Sequence, residues 1–186
     1  MQFDISVTSS AASTTGFASN VTGATWALSA TEVGDSLAHK VTVLNDSATD
    51  HSAKTAILTG TLYGANQTET VNLPAGSATV TSVKYYDSLT SVGPSATIDA
   101  DTMDIGWAAA SVSPAKNVNS KGAWGGIGFG CYVTSGTPTY GVQVAYGGYW
   151  FDHATVTNET TSQYGEIAQA VQAVRLVFTA AGGVSL

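Results

Sequence analysis

Apolar residues recur at every second position far more often than at every third or fourth, and the alternating runs are rich in Thr, Val and Tyr. Successive side chains of a strand point to opposite faces, so this period predicts strands and leaves room for little helix. The clearest runs are 39–44, 56–62, 69–73, 78–85, 127–133, 140–146 and 173–179. In the last of these, Val174, Leu176 and Phe178 share one face while Arg175 and Thr179 occupy the other, the pattern of a sheet that is wet on one side.

Turn chemistry bounds the runs. The connection Tyr63-Gly64-Ala65-Asn66-Gln67-Thr68 joins two of them as a hairpin, and Pro74-Ala75-Gly76-Ser77 turns the chain again into the run 78–85, giving a three-stranded meander. Residues 8–24 are rich in Ser, Thr and Ala with weak periodicity, and residues 108–126 share that character. The first stretch reads as part of a loose N-terminal arm over 1–24 that straps a neighbouring subunit. The second is either a long loop or a boundary. One domain over 25–186 is favoured over separate blocks 25–107 and 127–186, because each block alone has a small core. The only helix-like segment is 164–173. The expected fold is all-β: an antiparallel β-sandwich, jelly-roll-like.

Composition narrows the function. With 6 Lys plus Arg against 13 Asp plus Glu, the net charge of -7 leaves no cationic face to track phosphates, which excludes nucleic acid as a partner. Charged residues are 10% of the chain, against roughly 25% in an ordinary domain, and Ser and Thr take their place. The 44% apolar content supports a sizeable core. No apolar stretch is long enough to span a bilayer, and Met1-Gln2-Phe3-Asp4-Ile5 has neither the basic nor the apolar block of a secretion signal, so a soluble chain with no membrane partner is expected.

Candidate chemistry is sparse. The lone Cys131 excludes an internal disulfide and a cysteine-cluster zinc site, and its alternating surroundings predict a buried, inert thiol. Asp99, Asp101 and Asp104 group carboxylates as calcium requires, but Asp104 and Ala110 stand where a helix-loop-helix calcium loop needs Gly and Glu. Asp152 and His153 are neighbours, and neighbours in a strand face opposite ways, so they form no dyad. His39 and His51 are isolated. The run Gly125-Gly126-Ile127-Gly128-Phe129-Gly130 lacks dinucleotide-loop spacing and reads as close strand approach or a bend beside Trp124. Tyr140, Tyr146, Tyr149 and Trp150 could form a sugar-stacking platform or serve as core and subunit contacts. No catalytic, metal or cofactor residue is assigned.

Two blocks resemble virion structural proteins of tailed bacteriophages. The first runs through Ala38-His39-Lys40-Val41-Thr42-Val43, then Leu58 to Val71, then Val80 to Tyr86. The second comprises Thr139 to Val144, Trp150-Phe151-Asp152-His153, and Ala173 to Thr179 leading into Gly182-Gly183-Val184. The resemblance implies a non-enzymatic, β-rich component of the particle, assembled in the bacterial host cytoplasm, and carries over no catalytic residues. A head decoration or cement protein bound to the major capsid protein is expected first, and a neck, collar, baseplate or tail component second. Self-association fits the composition, because few charges guard the sheet edges and neighbours can cover them. Deleting the arm is then expected to weaken particle association and spare the fold. A carbohydrate-binding sandwich and a hydrolase are the rival readings.

Overall fold

The computed structural model describes residues 4–118, 126–168 and 170–186, and among them it contains thirteen strands and no helix. In chain order these are β1 (Ser6–Ser9), β2 (Ser13–Val21), β3 (Ala38–Asn45), β4 (Thr55–Leu62), β5 (Ala65–Asn72), β6 (Thr79–Tyr86) and β7 (Ser88–Pro94). They continue as β8 (Met103–Val112), β9 (Lys116–Asn117), β10 (Ile127–Tyr146), β11 (Tyr149–Asp152), β12 (Gln163–Ile167) and β13 (Ala173–Ser185). The protein is all-β with antiparallel sheets. The helix-like segment 164–173 instead continues β12 as far as Ile167, where pairing with β10 outweighs a weak local preference.

Contacts divide the chain into two compact units. Unit 1 takes Met1–Ala11, Asp35–Leu37 and Ala109–Leu186, and unit 2 takes Ala12–Gly34 and Ala38–Ala108. Their boundary near residue 108 falls close to that between the blocks 25–107 and 127–186. The 1–24 segment contains β1 and β2. β1 pairs with β13, placing Ser6 opposite Ser185, and β2 lies beside β8, placing Ala18 opposite Ile105. Phe17, Ala18 and Ile5 are buried, so hydrophobic burial ties this segment into both units.

In unit 2, β4 lies between β5 and β7, while β3 pairs with β6 and neighbours β8. One core draws on both groups of strands: Val41 and Val43 from β3, Leu58 from β4, Leu89 from β7, and Met103 and Ile105 from β8. Each fully buried side chain of this size contributes about 1.5–3 kcal/mol over its exposed state. The β4–β5 turn is tighter than the expected connection 63–68. Tyr63 and Gly64 both have positive φ, the mark of a two-residue hairpin turn, and β5 begins at Ala65.

In unit 1, the 20-residue β10 is the spine. Its start pairs with β12, its remainder with β13, and its end with β11. The runs 127–133 and 140–146 belong to this one strand. Shifts in register near Gly136 let it continue past Pro138, as bulges permit. The start of the 108–126 stretch is strand rather than loop, since β8 reaches Val112 and β9 follows. Residues 119–125, including Trp124 and Gly125, lie outside the described residues. The unit 1 core gathers Phe129, Cys131, Tyr140, Val142, Leu176 and Phe178 from β10 and β13.

Candidate functional site

The hairpin of β10 and β11 builds the most distinctive surface. Gly147 and Gly148 both have positive φ, which glycine adopts without a Cβ penalty, and they close the turn between Tyr146 and Tyr149. The register sets Val144 opposite Phe151 and Tyr146 opposite Tyr149, and alternation puts these four on one face. Tyr149, Tyr146 and Phe151 remain 74%, 61% and 52% exposed. Beside them opens a groove of about 420 Å³ lined by Val144, Tyr146, Phe151, His153, Ile167 and Val171, with Asp152 and Glu166 also bordering it. Its lining is chiefly apolar. β11 is the end strand of its sheet.

The opposite face carries a polar chain. Trp150 lies under the Arg175 guanidinium at 4.2 Å, Arg175 Nε donates to Gln143 Oε1 at 2.8 Å, and Gln143 Nε2 donates to Asp152 Oδ1 at 2.8 Å. Asp152 is thus engaged away from His153, as strand alternation predicts. His153 is committed as well. Its Nδ1 accepts from the Val156 amide at 3.2 Å and the Thr155 amide at 3.3 Å, and Nε2 lies 3.0 Å from the Glu166 carbonyl. That pattern assigns the proton to Nε2 and makes the ring a brace between two segments. Phe129 packs edge-on against it, with centroids 5.0 Å apart.

The other candidates are separated. His39 is buried, with Nδ1 3.0 Å from the Ala108 carbonyl, and His51 pairs through Nε2 with Asp101 Oδ2 at 2.9 Å. That hydrogen bond from His51, the largest cause, together with one from Thr49, holds the Asp101 carboxyl below its ordinary range. Asp104 Oδ1 accepts the Asn20 amide at 2.8 Å. Burial, then the charge of Asp104, pushes the Asp46 carboxyl up. Asp99 sits in a turn at φ 57°. Among the described residues no group of three His, Cys, Asp or Glu is placed to hold a metal ion.

Cys131 is fully buried, and burial pushes its thiol up to about 12 despite a hydrogen bond to Tyr140. The four aromatics of the supposed platform part company. Tyr140 is buried, donates to the Thr161 carbonyl at 2.8 Å, and is raised by burial first and by Cys131 and Glu159 after it. Trp150 serves the Arg175 stack, and Tyr146 and Tyr149 face solvent. The sequence reading missed Phe151, Ile167 and Val171 as groove residues. The Gly147-Gly148 pair between aromatic residues was the available signal for the hairpin. Nothing local placed β12 beside it.

The arrangement offers an apolar, aromatic surface at a sheet edge, suited to packing against another chain. Comparison with protein-family models, with curated proteins and with solved structures finds no match.

Proposed function

We propose that the protein is a non-enzymatic structural component of a tailed-bacteriophage virion, most simply a head decoration or cement protein that binds the major capsid protein and copies of itself. The observation that carries this reading is the exposed aromatic face of the β10–β11 hairpin at the end of its sheet. Such an edge gains by adding a neighbour's strand or by packing under it, and a repeating shell multiplies modest contacts into tight attachment. The resemblance of the 38–86 and 139–184 blocks to virion proteins supports a place in such a particle. A neck, collar or baseplate position uses the same contacts.

The finer fold belongs to the same proposal. The core shared by both strand groups of unit 2 supports a β-sandwich, jelly-roll-like in outline.

Tracing the chain in density maps of intact particles tests the reading, together with occupancy of a Tyr149→Lys/Phe151→Lys variant. Loss of occupancy with an unchanged melting profile is expected. A chain missing from particles, or a variant that decorates them fully, overturns it. Tyr146 and Tyr149 at the hairpin tip favour carbohydrate binding as the second reading, which glycan-array binding abolished by Tyr149→Ala would select.

A further inference from the structure

A second feature, in unit 2, does not depend on the assembly reading. β5 and β6 are each the last strand on their sheet path. Side chains, rather than a backbone ladder, join them. Gln67 Nε2 donates to the Tyr85 carbonyl, and Lys84 Nζ donates to the Thr68 carbonyl at 2.7 Å. Between these contacts the Glu69 carboxylate accepts two consecutive amides, Oε1 from Val83 at 2.7 Å and Oε2 from Lys84 at 2.9 Å.

Consecutive amides of a regular strand point to opposite edges, so two aimed at one carboxylate require a distorted backbone. The distortion is visible in the register. Lys40 pairs with Tyr85 but Thr42 pairs with Thr81, which leaves Ser82, Val83 and Lys84 bulged opposite Val41. Ser82 fixes the bulge from beneath: its Oγ accepts the Val41 amide at 2.8 Å and donates to the Lys84 carbonyl at 2.7 Å. Val83 is pushed outward to 78% exposure. Paired backbone N–H groups of this kind form an anion-binding concavity, and the Lys84 ammonium adds positive charge on the same residue.

We propose that the β6 bulge is a carboxylate-binding site in its own right, with Glu69 as its tethered ligand, so that β5 is latched to β6 by an exchangeable anion contact. The site is shaped by β6 and Ser82, and Glu69 only fills it. An untethered carboxylate therefore occupies the same two amides once the Glu69 side chain is removed. The tether gives Glu69 a high effective concentration, which keeps free carboxylates out of the wild-type chain.

The experiment is an amide NMR titration of the full-length Glu69→Ala chain with sodium acetate, against sodium chloride at equal ionic strength. Saturable acetate shifts confined to the Val83 and Lys84 amides and their neighbours are expected, absent with chloride and absent in the wild type. Exchange of these two amides accelerates about tenfold or more in the variant, as loss of a charge-assisted hydrogen bond implies, and acetate slows it again. No saturable shift in the variant, or the same shift in the wild type, overturns the proposal. Should Glu69→Ala fail to fold, Glu69→Gln provides the second test, because its amide oxygen satisfies only one of the two N–H groups. Faster exchange at one of these amides is then expected, and wild-type protection at both overturns the latch.

Discussion

Removing one buried hydroxyl, in Ser82→Ala, isolates the role of the β3–β6 bulge. Ser82 is 3% exposed, and its Oγ is the acceptor for the Val41 amide in the interior of unit 2. The register shift between Lys40 and Thr42 means that no β6 carbonyl is aligned to replace it. Alanine removes the acceptor without leaving a large cavity, so the cost is that of an unsatisfied buried donor, about 1–3 kcal/mol. A urea dependence of about 2 kcal/mol per molar converts this into a midpoint lowered by roughly 0.5–1.5 M. Hydrogen exchange reads the same loss locally, with Val41 protection reduced roughly 5- to 150-fold if opening is the controlling step. Ser82→Thr keeps the hydroxyl and should hold most of the stability. Wild-type exchange at Val41 in the alanine variant, with an unshifted midpoint, would refute the assignment of Ser82 as a substitute ladder acceptor.

Three further outcomes follow from the geometry. A Cβ at Gly165 would lie 2.6 Å from Phe129 Cζ and 3.1 Å from His153 Cε1, so Gly165→Ala must displace that ring pair and cost about 1–3 kcal/mol, measurable by urea unfolding. Asp101 has its carboxyl depressed in the folded chain, chiefly by His51, so its contribution is present above the unfolded carboxyl range near pH 4 and fades as pH falls through the lower folded value. Asp101→Asn should therefore be less stable than wild type near neutrality, with the gap closing in acid; a constant gap in melting temperature across that range contradicts the coupling. Cys131, with its buried thiol raised to about 12, should react with dithionitrobenzoate only as the chain unfolds, and rapid labelling under native conditions contradicts its burial.

Removing the first 24 residues carries a different expectation from the one their composition suggests. Phe17 and Ala18 lie in the core of unit 2, and Ile5 in that of unit 1. Truncation therefore destabilises both units, whatever it does to particle binding. The weak periodicity of 8–24 misled because β2 has irregular register against β8, with shifts between Ser13, Ala18 and Val21, and irregular pairing erases the strict alternation of a flat strand.

Alternation and turn residues were enough to make the chain all-β, because the two-residue period and the glycine-bearing turns are properties of neighbouring side chains and backbone dihedrals. The same local logic set Asp152 and His153 back to back and predicted a buried Cys131. Longer-range matters were decided elsewhere. Tyr140 and Tyr149 look alike in sequence, yet one hydrogen-bonds within the core and the other stands in solvent, because Tyr140 lies where β10 is paired with β13 and Tyr149 lies on β11, the end strand of the sheet. Glu69 reads as an ordinary strand carboxylate until the Ser82 bulge turns two amides toward it. The division into two units follows the same rule: it depends on which distant strands find each other, and pairing energy between distant strands leaves no trace in the local period.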